Sequence, residues 1–544
     1  MKNSFFHYSA LALTGLMLFS ACAKEEGGSK ITDPTFTLYA EGYGNDAKMA
    51  INGKYLTWVT GDKIRINDRV SNVVVQDGVA FIQSAVAYST PYYCVSPSSI
   101  YSSAITSSNI TVNLPNSYTY AETDGKQNLP VPMCAYAEGG DALQFKHLTG
   151  ALTIRIENSF GIDVYVNRIE VSSNNYQICG SKNITISDNP SINAATTSNA
   201  ADKKITILFN GGTSLNIPCG GVKYVMVPVL PVGNDNRFTV NVTVKSTDGT
   251  YSYTFSQTQN TGGNLVRAQI AYAPAKFGGV FSVAGNKKVY FSPGNLQYQA
   301  STGTWRFADR QYTVLAGSAN GGNKTVAEAD RQTQDKWIDL FGWATSGWNG
   351  GSWTNYQPWT ADATDNQYGP ATPGTFYEAN QECDWGWHNA ISNGGDAVHI
   401  WRTLRNTEWN YLLHTRTNGY AKGSVDGANG VIVFCDGYVH PTGLAAIVYP
   451  SSPSIASDGA SYSDNSFSYA DFRKMEIAGA IFLAAGGYHG TGAAIGGGGH
   501  YWTANYSSAA GAREFSFDND RTGDSSDARQ RHYGCSVRLV RAAN

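Results

Sequence analysis

The chain has 544 residues, 42% of them apolar and 15% charged, enough to bury several cores. Its formal charge of −3 gives no electrostatic case for nucleic acid or for an anionic membrane surface. Gly (58) and Tyr (33) are abundant beside Ser, Thr and Asn, a composition that favours many turns between short strands and therefore a mainly β protein of about three or four domains.

Residues 1–21 read as an address. Lys2 is a short positive region and Ala10 to Phe19 an apolar run too short to span a bilayer. Ser20 and Ala21 precede Cys22, which resembles a bacterial lipobox, so Cys22 is the expected lipidation (palmitate) site. The alternative is a cleavable signal peptide with an incidental cysteine; by either route the chain leaves the cytoplasm. Cys22-Ala23-Lys24-Glu25-Glu26 is similar to the tether that sends Bacteroidetes lipoproteins to the cell surface, which assigns 22–33 as the tether. Membrane contact is then expected only through the lipid anchor of an outer-membrane precursor. The seven other cysteines are odd in number, widely spaced and without a CxxC pair, which makes neither a disulfide framework nor a zinc site; most are expected as buried small hydrophobes.

From Thr35 to about Lys276 strand follows strand. Ile64 and Ile66 alternate in GDKIRIN. Leu152, Ile154 and Ile156 face one way in ALTIRIE, and Thr153, Arg155 and Glu157 the other. Phe238, Val240, Val242 and Val244 repeat the pattern, as do Tyr251, Tyr253 and Phe255. One apolar face per strand calls for sheets packed face to face. Ser187 to Lys203 is polar and predicts a long loop. Leu56-Thr57-Trp58-Val59-Thr60-Gly61-Asp62-Lys63-Ile64, then Phe145-Lys146-His147-Leu148 leading into ALTIRI, then Val225-Met226-Val227-Pro228, resemble in order and spacing the Bacteroidetes fimbrillin superfamily. The resemblance implies two transthyretin-like β-sandwiches, 34–146 and 147–276, and polymerisation by donor-strand exchange with other fimbrial subunits. Trimming of an N-terminal strand would open a groove for the next subunit's strand. In that family an arginine-specific protease makes the cut. Here the first Arg after Cys22 is Arg65, expected inside a strand, so the candidate processing site is Lys48 in GNDAKMAI, or the groove opens without a cut.

Near Lys276 the composition changes: of twelve Trp only Trp58 precedes this point. Ala273-Pro274-Ala275-Lys276 is the expected linker, and 277–544 the third domain. Trp337, Leu340 and Phe341 at i, i+3, i+4 predict a short helix. A better one spans about Thr407 to Arg416, with Trp409, Leu412 and Leu413 as its apolar face, Asn406 as cap and Glu408 in its first turn. KVYFSPGNLQYQASTGTWRF, TEWNYLL, AIFLAAGGY, GHYWTAN and GCSVRLV follow the order seen in C-type-lectin-like domains of Bacteroidetes surface proteins, a fold shared with formylglycine-generating enzymes. The fold class expected is thus mainly β: two transthyretin-like sandwiches, then a C-type-lectin-like α+β domain. In such domains the first and last strands pair, here Lys288–Ser292 with Ser536–Arg541, and loops on the opposite side hold the ligand.

The stretch Tyr488 to Asp524 carries Gly496 to Gly499 and a tract of Asp, Ser, Asn and Gly between strand-like Glu514–Phe517 and Ser536–Val540. Polar, aromatic loops on a strand frame suit a binding face. The candidate ligand-binding residues are Tyr488, His489, His500, Trp502, Asn505, Tyr506, Asp518 and Asp520. Trp502 and Tyr506, like Trp343, Trp348, Trp353, Tyr356 and Trp359, suit either a core or a sugar- or protein-stacking role. Asp518, Asp520 and Asp524 have calcium's oxygen chemistry without EF-hand spacing, and His489 and His500 lack a patterned partner, so no metal and no cofactor is assigned. Cys435 and Cys535 are a hundred residues apart with no motif joining them, and no catalytic residue is assigned. The function expected is an adhesive component of a fimbrium tip, serving cell adhesion and biofilm formation, with an unidentified glycan or protein as ligand. The alternatives are a non-polymerising surface lipoprotein that captures glycans and a formylglycine-type modifying enzyme. The tip position follows because a C-terminal strand paired inside the head, with three residues beyond it, is none to donate.

Overall fold

The computed structural model describes residues 36–41, 58–83, 88–123, 126–128, 131–209, 215–315, 337–348, 375–376, 381–451, 458–489, 493–494, 497–523 and 527–543. The leader, Cys22, Lys48, Trp353, Tyr356, Trp359, Gly496 and Asp524 lie outside these residues.

Alternation places Ile64 and Ile66 on one face of the Lys63–Ile66 strand, and both are fully buried. This strand belongs to an eight-strand path in the order 69–72, 63–66, 92–96, 133–137, 142–147, 36–40, 79–82, 74–76. Ile64 and Ile66 from one arm share a core with Phe36, Leu38, Ile82, Leu143 and Phe145 from the other, so the path folds over on itself. Phe36–Ala40 is bonded on both sides, parallel to Ala142–His147 and antiparallel to Val79–Ile82. Arg65 lies inside its strand, as expected, and its Nε donates to the Tyr101 carbonyl.

The second unit is a two-layer sandwich. Gly150–Ser159 runs between Val222–Val229 and Ile270–Gly278 in one sheet. Phe238–Ser246, Ser252–Thr258, Val164–Ser173 and Lys204–Leu208 form the other, and Ser117–Thr119 completes its edge. Leu152, Ile154, Ile156, Val240, Val242 and Val244 meet between the layers. Thr153, expected on a polar face, is also buried, while Arg155 and Glu157 on that face stay part-exposed as expected. Residues 187–200 form the predicted loop, closing in a single 3-10 turn at Ala201–Lys203. The boundary at 146 is not clean: Asn109–Leu114 pairs with Gly180–Thr185, so the first segment lends strands to the second.

The proposed linker is a strand. Ala273, Pro274, Ala275 and Lys276 sit in Ile270–Gly278, in register with Ile154 to Glu157, and Ala273 and Ala275 are buried. Chain direction changes only at Gly278, whose positive φ of +74° suits glycine. One continuous core then runs from Leu152 to Leu539 across the boundary. Tyr251 donates to the Ala308 carbonyl at 3.0 Å and accepts from Asn393 at 3.2 Å, while the Arg473 guanidinium covers Tyr253 at 3.8 Å and donates to the Ser252 carbonyl. Close approach is possible because position 161 is glycine: a Cβ there would stand 2.4 Å from the Phe291 carbonyl oxygen.

In the third unit the last strand is an inner one. Its sheet runs 281–284, 287–291, 539–542, 402–403. Tyr290 pairs with Arg541 and Phe291 with Val540, as expected, and Arg402 and Thr403 hold the other edge. The preceding residues are bonded one after another: Gly534 to His489, Cys535 to Phe341, Ser536 to His500 and Trp502, Val537 to Leu296, Leu539 to Ser292. Trp337, Leu340 and Phe341 make no helix. Trp337–Ile338 is a strand against Tyr298 and Gln299, the Arg306 guanidinium lies 3.8 Å over Trp337, and Phe341 bridges Cys535; tertiary pairing overrides the local spacing. The better helix is present as Asn406–Asn410 continued by a π turn over Tyr411–Thr415, with Trp409, Leu412 and Leu413 buried. Among the described residues no helix is long and apolar enough to cross a membrane.

Because Leu539 is fully buried in this inner strand, Leu539→Ala should cost about 2–5 kcal/mol in urea or guanidinium unfolding. A loss below about 1 kcal/mol would show that the strand is dispensable.

Candidate functional site

The candidate face is framed by Gly498–Tyr506, Gly511–Asp518 and Ala528–Gln530, an antiparallel sheet in that order. Gly498 and Gly499 belong to the frame, although their glycine-rich surroundings suggested loop. Gly499 must lack a side chain because a Cβ would fall 2.1 Å from the Phe517 ring. Glu514–Phe517 and the run Ser536–Val540, in which the strand begins only at Leu539, are buried on both faces, where alternation suggested half-burial.

Register brings Tyr488, His500, Glu514, Arg529 and Tyr533 into one cluster. The Arg529 guanidinium lies 3.9 Å over the Tyr488 ring, and Tyr488 stacks on Tyr533 at 5.8 Å. Arg529 Nε donates to the buried Glu514 carboxylate at 2.7 Å. His500 stands edge-on to Tyr488 with its Nδ1 between two partners, 3.2 Å from Arg529 Nη2 and 3.3 Å from Glu514 Oε2. A guanidinium only donates, so this nitrogen accepts from Arg529 in the tautomer that leaves it bare and donates to Glu514 when it carries hydrogen. Burial alone would raise the Glu514 carboxyl, yet hydrogen bonds from His500 and Arg529 hold it down at about 2. Beside the cluster a recess of about 250 Å³ is lined by Gly497, Gly498, His500, Ser516, Asp518 and Arg521.

The acidic loop under this recess is fixed from inside. Lys422 and Asp458, both 0% exposed, form an ion pair at 2.8 Å. Asp458 also accepts from Thr522 at 2.7 Å and Tyr420 at 3.2 Å, while Lys422 reaches the Asn519 carbonyl at 3.3 Å. Asn519 in turn accepts from Ser461 and from the Tyr462 N–H. A buried pair needs such added bonds to offset desolvation, and here they tie 518–523 to the body.

Several predicted ligand residues have structural work. Trp502 is 0% exposed and its indole N–H donates to the Phe341 carbonyl, so it is core and not a surface contact: its strand is covered on both faces. Asn505 accepts from the Asn406 N–H at 3.0 Å, so the helix start is satisfied from across space; Arg405 holds the cap position assigned to Asn406. Glu408 takes the Arg405 N–H and a two-pronged bond from Arg402. His489 is buried, its backbone paired with Gly534. Asp518 accepts from the N–H groups of Asp520 and Arg521 and pairs with the Arg521 side chain. Tyr506, 43% exposed, and Asp520 are open to solvent. Trp343 is core, with its indole donating to the Thr503 carbonyl. Arg529 and Tyr533 were not foreseen, because only the pairing of 511–513 with 528–530 brings them to Tyr488.

All seven described cysteines are free, and all but Cys219 are buried. Cys435 and Cys535 sit in different cores. Burial pushes the Cys435 thiol up to about 11 and the Cys535 thiol well above its usual value. Among the described residues no three His, Cys, Asp or Glu side chains gather in a metal-binding set.

Lys422→Met should destabilise the protein by about 3–5 kcal/mol, since it strands a buried carboxylate, and should open 518–523 to proteolysis. Lys422→Met with Asp458→Leu should recover part of that loss; a single variant as stable as the parent would refute the anchoring role. Glu514 has a folded value below its unfolded one, so it adds stability above pH about 4.5 that is lost as pH falls towards about 2. Glu514→Gln should flatten the stability profile across that window, and an unchanged slope would contradict the assignment.

No family model matches the chain, and no curated protein does. Two solved structures are similar to parts of it. One, of a candidate cell adhesion protein from Bacteroides ovatus, has 12% identity and a TM-score of 0.25, and covers 42% of this chain and 88% of its own. The other, of a candidate cell adhesion protein from Bacteroides fragilis, has 13% identity and a TM-score of 0.24, and covers 51% of this chain and 93% of its own.

Proposed function

We propose that this protein is an adhesive subunit at the distal end of a surface fimbria, accepting a strand from a neighbour and giving none. One observation carries the reading: the 539–542 strand is bonded along both edges inside its own sheet. Donation would remove Leu539 and Val540, both fully buried, from their cores and break the contacts that seat the third unit on the sandwich. Each such side chain contributes about 1.5–3 kcal/mol on burial, so the free strand is strongly disfavoured. At the other end Phe36–Ala40 lies between two strands, with Phe36 and Leu38 inserted in the core. Its withdrawal would leave a groove with unpaired backbone on both walls and two vacated apolar pockets, the geometry of strand addition. The third unit supports the adhesive half of the reading by presenting a stiffened polar face around the 250 Å³ recess. Attachment to a glycan or protein ligand is assigned to this recess and its strand frame, with Asp520 and Arg521 accessible at the recess end and Tyr506 at the far end of the 498–506 strand. The alternative of a surface lipoprotein that captures glycans without polymerising keeps the same face and predicts no filament. An enzyme of the formylglycine type gains no support from two cysteines buried in separate cores.

Immunogold labelling of sheared fimbriae should put label at one end of each filament; label repeated along the shaft would overturn the tip assignment. The variant Tyr506→Ala, Asp520→Ala, Arg521→Ala should fold normally and lose attachment, and normal attachment would remove the face from the proposal. N-terminal sequencing of assembled protein should give a start before Arg65, since that residue lies within a strand. A start beyond it would contradict the groove described above.

A further inference from the structure

A second recess, of about 500 Å³, shares no lining residue with the first and falls within the usual range for small-molecule sites, about 300–1,000 Å³. It lies where the helical segment ending at Thr415 turns into the Tyr420–Val425 strand, and Arg416, Thr417, Asn418, Asp436, Tyr438 and Tyr449 line it. Its polar groups are held in place. Arg416 Nη2 donates to the Phe434 carbonyl at 2.6 Å and meets Asp436 Oδ1 at 3.2 Å. Asp436 is fixed again by the Ser282 N–H at 3.1 Å and hydroxyl at 2.6 Å, with Lys288 at 3.5 Å. Burial opposes its charge, but the bonds from Ser282 and the charges of Arg416 and Lys288 keep Asp436 below the usual carboxylate range. Arg416 Nη1 is buried and makes no hydrogen bond among the described residues. The recess is thus lined by a fixed guanidinium that still has N–H donors to spare.

The remaining wall is aromatic. Tyr438 and Tyr449 pack on Phe434 at 4.6 and 5.6 Å, and the neighbouring Val439 and Val448 stay exposed. A rigid donor, a paired carboxylate, an amide and hydroxyls beside an apolar wall match a ring with hydroxyls on its edge and C–H groups on its face. An anionic ligand fits less well. The Arg416 fork is already half engaged by Asp436, so a bidentate carboxylate or phosphate bond is unavailable, and Asp436 would repel it.

We propose that this recess binds the pyranose ring of a neutral sugar, with Asp436 accepting from ring hydroxyls, Arg416 and Asn418 donating to them, and Tyr438 or Tyr449 lying against the C–H face. The site is separate from the 488–523 face and stands whether or not the protein caps a fimbria. Saturation-transfer NMR and calorimetry on the full mature chain test it with the methyl glycosides of glucose, galactose, mannose and N-acetylglucosamine, and with methyl glucuronide as the charged comparison. At least one neutral glycoside should bind. Asp436→Asn, and Asn418→Gly, which keeps the positive φ of +52° at that position, should each weaken it about tenfold or more. Tyr506→Ala should leave it unchanged. The proposal fails if no neutral glycoside binds, if folded Asn418→Gly protein binds with parental affinity, or if the glucuronide binds best. Loss of attachment in the Tyr506, Asp520 and Arg521 variant without glycoside binding would leave the adhesive face standing and this recess refuted.

Discussion

The 534–542 segment is the constraint on which the third unit rests. It bonds in succession to His489, Phe341, His500, Trp502, Leu296, Ser292 and the strands on either side. The loop frame, the helix-bearing segment and the first strands of the unit are thereby joined through one stretch of backbone. Arg538, fully buried, is held by Gln311 and Asn295, and Gln311 continues to Glu476 and so to Arg473. Arg541 ends the run by donating to the Gly161 carbonyl of the sandwich. On the proposed strand-exchange reading such a segment is the wrong one to lend to a neighbour, and the same engagement makes the third unit and the sandwich one continuous core.

A second layer of order sits under the proposed binding face. Loops of Asp, Ser, Asn and Gly favour turns and lose much entropy on ordering. Here the Lys422–Asp458 pair and the Asn519 bonds supply that order from below, while Arg529 stacked on Tyr488 stiffens the side. The exposed residues Asp520 and Arg521 are thus presented on a support whose strength lies in buried charges. Preorganisation of this kind lowers the entropic penalty of binding.

Strands with one apolar face were legible in the sequence: Ile64 and Ile66, and Val240, Val242 and Val244, lie where period two puts them. Strands buried on both faces were not. Trp502 and Ser516 alternate like a half-exposed strand, and only the layers above and below make them core. Ala-Pro-Ala-Lys carries no strand propensity, yet pairing with 150–159 makes it one. Contacts set by register were hidden altogether. Asn505 reaches the start of a helix a hundred residues earlier, and Arg529 reaches Tyr488 only because 528–530 joins the sheet. The pairing of the last strand with 287–291 was anticipated, through a resemblance of motif order and not through any local pattern.

A disulfide lock tests the central claim most directly. Tyr290 and Arg541 face one another across the strand pair, so Tyr290→Cys with Arg541→Cys can fasten the last strand in place. If this strand is never donated, oxidised protein should enter filaments as efficiently as reduced protein does. Loss of incorporation on oxidation, restored by reductant, would show that the strand leaves its sheet during assembly and would contradict the account.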